Sequence, residues 1–200
     1  MVKNILTSLA LITTIFTGFS QEKEYKSAKD YAVEGATFYA DEQYEEAFEA
    51  FLQVNYNDTA YYQLTLAALE SAAELDMVDT LLSISTKVLE DKRYNPLKEK
   101  FVIMKGYGLL QKEQYEETVA FYDSYLGEFP KSSVIHYNKS VALYDLERYD
   151  EAVEALQTSI RFNPRNAAAH IKLGLICAEA EDYSKAALCL NMSLFLSAGE

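Results

Sequence analysis

The stretch Glu147–Pro164, ERYDEAVEALQTSIRFNP, decides the fold. Ala152, Val153, Leu156 and Ile160 recur within it at spacings of three and four, one apolar stripe on a helix. An earlier stretch, Asp41–Asp58, DEQYEEAFEAFLQVNYND, repeats the opening of that pattern: Tyr, two acids, Ala, then an apolar helix. The prolines turn likeness into a period. There are three, Pro96, Pro130 and Pro164, and each follows the last by 34 residues. A fixed period of that size marks stacked supersecondary units.

Placing Ala152 at position 20 of a 34-residue unit phases the chain. Units then run over residues 99–132, 133–166 and 167–200, with Tyr115, Tyr149 and Tyr183 all at position 17. Gly106, Ser140 and Gly174 fall at position 8. Ala47 at position 20 adds a unit over 28–61, with Gly35 at position 8 and Tyr44 at position 17. Residues 62–98 form a degenerate copy. Leu69 stands where a small residue is expected and Val78 where Tyr is expected, and three additional residues lengthen helix B or the loop after it.

Small side chains at 8 and 20 let two helices cross closely. Acids open the second helix, where the positive end of its dipole favours them. Proline ends it and turns the chain into the next unit. One hairpin cannot cover its own apolar face, so neighbours stack.

These residues resemble the tetratricopeptide repeat family, over about residues 28–198. The resemblance implies an all-α, right-handed α-solenoid of five helix-turn-helix units. It departs from the family at Thr118, where Ala is expected at position 20, and at Tyr125, where a small residue is expected at 27. The position-17 tyrosines are expected in the core. The family's concave surface, carried onto this chain, is lined by Tyr39, Ile103, Tyr107, Leu110, Tyr137, Val141, Tyr144, Ile171 and Leu175. Such a groove suits another protein or peptide segment; the alternative is a carbohydrate or cell-wall polymer stacking on the tyrosines, since Tyr offers broad contact area and a hydroxyl. The family's carboxylate clamp is incomplete: only Asn138 and Lys172 match it in kind.

Composition narrows the partners further. Residues 1–20 read as a secretory signal peptide: Lys3, an apolar run from Ile5 to Phe16, then Gly18-Phe19-Ser20, with Gln21 as the first mature residue. An uncleaved anchor is the rival reading. Residues 21–27 form a short lead into the repeats. Export to the periplasm or cell envelope of a Gram-negative bacterium, without membrane insertion after signal removal, follows as the expectation. Removing residues 1–20 takes away one Lys and no acid, so the net charge moves from −13 to −14. That excludes nucleic acid, whose phosphates need clustered Lys and Arg, and an anionic membrane surface.

Nothing in the residues calls for catalysis, a cofactor or a metal. His136 and His170 lie one period apart at packing position 4, and KGYGLLQ is mid-helix rather than a phosphate loop. Cys177 and Cys189 lie on the two helices of the last hairpin, twelve apart, as small hydrophobes or a disulfide. No capping helix follows that hairpin, so Leu190, Leu194 and Leu196 are expected to leave an apolar flank open to self-association.

Overall fold

The computed structural model describes residues 26–93 and 95–197. The expected signal segment, residues 1–20, lies outside them. Ten helices are described, in five antiparallel pairs. They are α1 Ala28–Ala40 and α2 Tyr44–Phe51, α3 Tyr61–Glu74 and α4 Val78–Glu90, α5 Lys98–Gln111 and α6 Tyr115–Leu126, α7 Ser133–Asp145 and α8 Tyr149–Phe162, and α9 Ala167–Glu179 and α10 Tyr183–Ser197. The period sets the boundaries. Tyr44, Tyr115, Tyr149 and Tyr183 each open the second helix of a pair, and Val78 opens it in the degenerate unit.

The crossing inside each pair rests on complementary sizes. A Cβ added to Gly35 would meet the Phe51 ring at 2.5 Å, one on Gly106 the Tyr122 ring at 2.1 Å, and one on Gly174 the Leu190 side chain at 2.9 Å. Position 8 is therefore small because position 24 is large. In unit two the sizes are exchanged: Leu69 takes position 8, Ser85 takes position 24, and both are fully buried. Position 20 is sealed throughout, at Ala47, Leu81, Thr118, Ala152 and Ala186.

Each pair turns through the same corner. Glu42, Asp76, Glu113, Glu147 and Glu181 all sit at φ between 56° and 60°. In unit four Glu147 N–H donates to the Tyr144 carbonyl at 2.9 Å and Arg148 N–H to the Leu143 carbonyl at 2.9 Å. That is the Schellman cap, and the other four corners repeat both bonds. An acid occupies a place where glycine is the usual choice.

Joints between units use polar bonds. His136 Nε2 donates to the Pro130 carbonyl at 3.0 Å, and His170 Nε2 to the Pro164 carbonyl at 3.1 Å, so the two histidines tie helix A to the preceding proline turn. The Tyr122 hydroxyl, buried between units three and four, donates to the Ile103 carbonyl at 3.3 Å and accepts from Asn138 Nδ2 at 3.1 Å. Burial pushes that hydroxyl's pKa far up.

The three-residue excess of unit two falls in the loop after α4 rather than in α4 itself, which at 13 residues is shorter than α8 and α10. Arg93 anchors that loop. Its guanidinium lies 3.5 Å from the Tyr56 ring centroid, donates from Nη1 to the Tyr56 carbonyl at 2.7 Å, and pairs with Asp91. Asp91 Oδ2 also accepts from the Tyr56 and Tyr62 hydroxyls, each at 3.0 Å. Arg93 first, then the tyrosines, hold the Asp91 carboxyl well below the usual carboxylate range. This strap joins the loop after α2 to the loop after α4.

Candidate partner-binding surface

First helices of successive units touch each other, α3 with α5 and α5 with α7, whereas contact of that extent joins no two successive second helices. The stack therefore curves with its first helices inside. All nine expected groove residues lie on these helices: Tyr39 on α1, Ile103, Tyr107 and Leu110 on α5, Tyr137, Val141 and Tyr144 on α7, Ile171 and Leu175 on α9.

They differ in how much they offer. Ile171 is 42% exposed and Leu175 48%, and Val134, one turn before Tyr137, is 44% exposed. The other seven groove residues lie deeper: Tyr39, Ile103, Tyr107, Leu110, Tyr137, Val141 and Tyr144 are half-buried. Leu110, Tyr137 and Tyr144 pack on the core around Leu143 and Leu156, and Tyr107 packs on the core around Leu81 and Phe101. Val134 occupies a groove position and is missing from the residues singled out in the sequence; its periodic place on helix A was the available signal.

Tyr144 is engaged at both its hydroxyl and its ring face. The Tyr144 hydroxyl donates to Glu179 Oε1 at 2.7 Å, and Lys172 Nζ stands 4.0 Å above the Tyr144 ring. Glu179 first and burial second raise the Tyr144 pKa, burial raises that of Tyr137, and burial followed by Glu74 and Glu70 raises that of Tyr39. All three stay protonated as donors at neutral pH. Asn138 is engaged by Tyr122 and Lys172 by Tyr144, so neither residue of the incomplete clamp is free for a carboxylate.

Of the position-17 tyrosines only Tyr115 packs on a core cluster, the one around Leu143 and Leu156, and it is half-buried. Tyr149 and Tyr183 are exposed, and Tyr44 and Tyr149 instead meet the groove tyrosines edge-on: Tyr39–Tyr44 at 5.2 Å and 71°, Tyr144–Tyr149 at 5.5 Å and 67°. The short turn places the ring at the mouth of the hairpin, beyond the helix crossing. Among the described residues no group of three or more His, Cys, Asp or Glu side chains could hold a metal ion.

A family model described as tetratricopeptide repeat matches residues 137–199. Residues 137–199 carry tetratricopeptide repeats, and the other described hairpins repeat their geometry. Similar solved structures share its fold. MamA 41-end from Desulfovibrio magneticus RS-1 superposes with a TM-score of 0.67 at 19% identity, covering 86% of this chain and 96% of that one. MamA AMB-1 gives 0.61 at 19% identity, over 85% of this chain and 99% of that one. A further crystal structure of MamA gives 0.64 at 13% identity, over 82% and 95%. At such identities the likeness is one of fold. No curated protein matches the sequence.

Proposed function

We propose that the protein is a non-catalytic scaffold of the cell envelope, whose concave face over units three to five binds an apolar segment of a partner protein. The observation that carries this reading is the aliphatic patch of Val134, Ile171 and Leu175, open to solvent on adjacent first helices. Residues at that depth on a curved wall exclude water from a ligand on one side and form the kind of central anchor that dominates interface energetics. The half-buried tyrosines act as its rigid floor. The carbohydrate alternative is weaker, because stacking needs a free ring face and Lys172 covers that of Tyr144.

The envelope assignment rests on the expected signal segment, and among the described residues no helix is long and apolar enough to cross a membrane. Fractionation of the source cell followed by N-terminal sequencing checks this; envelope protein starting at Gln21 supports it, envelope protein with an intact Met1 gives the uncleaved anchor, and recovery in the cytosol removes the assignment.

The binding test is capture by proximity cross-linking in the source cell, with the purified partner then titrated against wild type and variants. Ile171→Glu and Leu175→Glu are expected to weaken binding at least tenfold with the melting temperature unchanged. Retention of full affinity by both would place the partner elsewhere. Retention of wild type on a polysaccharide matrix, lost in the same variants, would favour the carbohydrate alternative.

A further inference from the structure

Units two to five have second helices of at least 12 residues, which makes a departure in one of them visible. Counting from the first residue of each second helix, the sixth, tenth and thirteenth residues face away from the stack. In unit two they are Ser83, Lys87 and Glu90. Unit three has Ala120, Ser124 and Gly127, and unit four has Glu154, Thr158 and Arg161. All are exposed except half-buried Thr158, although each of these units has a neighbour stacked after it. A following unit therefore does not cover these positions. In unit five they are Leu188, Met192 and Phe195, exposed to 71, 43 and 74%. Their spacing of four and three makes them a single outward stripe of α10.

Beside the stripe lies a groove of about 550 Å³ between α8, α9 and α10, with Val153, Leu173, Ile176, Leu188, Cys177 and Cys189 among its lining. Its polar edge carries Asp150, Gln157 and the Asp182–Lys185 pair, the last closed at 2.8 Å. The corresponding groove one unit earlier holds about 260 Å³ and presents Lys139, Glu151 and Glu154. At the equivalent positions of unit five stand Leu173, Lys185 and Leu188. Two of these three polar wall positions are leucine in unit five.

We propose that this outer surface is a two-fold self-association site, the Leu188, Met192 and Phe195 ridge of each copy seating in the α8/α9/α10 groove of the other. Ridge and groove lie side by side on one chain, which is the self-complementarity that an isologous contact requires. Leu188 belongs to both, so the dyad passes close to it. Burying the ridge and the groove edge removes on the order of 600 Å² per copy, near the low end for a specific interface, and sets the expected affinity in the micromolar range. A lipid surface fits less well, since the mature chain's expected net charge of −14 opposes anionic headgroups. The same charge makes two copies repel, and salt screens that repulsion. The site is independent of the concave face.

Sedimentation equilibrium of the purified full chain, under reducing conditions and at low and high salt, tests the proposal. A monomer–dimer equilibrium in the micromolar range, tighter at high salt, is expected. Leu188→Glu and Phe195→Glu should each weaken it at least tenfold, while Leu194→Glu, on another face of α10, leaves it unchanged. Circular dichroism melts establish that each variant is folded. Alkylation of Cys177 and Cys189 in wild type gives a second readout free of substitutions, and should slow as concentration passes the dimer midpoint. A monomer throughout, a dimer broken by Leu194→Glu but not by Phe195→Glu, or thiol reactivity independent of concentration would each overturn the proposal.

Discussion

Gly106 has no room for a methyl group. A Cβ there would sit 2.1 Å from the Tyr122 ring, and Tyr122 is itself fully buried and bonded at its hydroxyl to both sides of a unit joint. The ring cannot swing aside without leaving Asn138 unpaired. Gly106→Ala is therefore expected to lower stability by about 1–3 kcal/mol, the usual cost of overpacking, as read by chemical denaturation. Glu147 gives the opposite sign. Its left-handed backbone costs an L-residue roughly 1–2 kcal/mol, and the added freedom of an unfolded glycine gives back about 0.4–1 kcal/mol. Glu147→Gly should raise stability by about 0.5–1 kcal/mol on that difference, and Glu147→Val should lower it. A melting series of the three proteins checks both directions. The glycine was legible in the sequence because the repeat demanded a small residue at that place. The corner was not, because its usual sign is Gly or Asn, and here all five corners carry an acid.

At the scale of elements, the strap between the loops after α2 and α4 links charge to folding. The Asp91 side chain is 8% exposed and gathers Arg93 and two tyrosine hydroxyls. Its folded pKa is lowered, so its contribution is present above the unfolded value of about 3.9 and disappears as pH falls through that value toward the folded one. Asp91→Asn should thus lower the melting temperature at pH 7, and the gap to wild type should close between about pH 5 and pH 2. A gap that stays constant down to pH 2 would mean that the carboxylate charge is not what holds the strap. The extra length of unit two was readable from residues 62–98, the stretch left between the unit phased on Ala47 and the unit that starts at Glu99. Its location was not, since three residues can extend a helix or a loop without altering the period. Arg93 and the tyrosines reach one another only after two units have stacked.

Across the whole molecule, buried side chains concentrate in units two to four, and large apolar side chains of α10 lie open. Hydrogen exchange should accordingly show strongest protection in α3–α8 and weakest in α10, with intermediate values elsewhere, because repeat stability is set by each unit and its immediate neighbours. Uniform protection from α1 to α10 would argue for one all-or-none block. The solenoid itself was legible because phase accumulates: Tyr115, Tyr149 and Tyr183 mark equivalent places, and each opens a helix. The groove was legible as a row of positions but not as a set of depths. Burial of Tyr107 or Tyr144 depends on the adjoining unit, whereas Ile171 and Leu175 have less laid over them.

The exchanged pair Leu69 and Ser85 bears on how such a chain can be recombined. Within every hairpin one partner is bulky and the other slight, but unit two assigns the roles the other way round. Whole hairpins are consequently the interchangeable parts. A chimera that grafts α3 onto the second helix of another unit would bring bulk against bulk, and the reciprocal graft would leave a hollow.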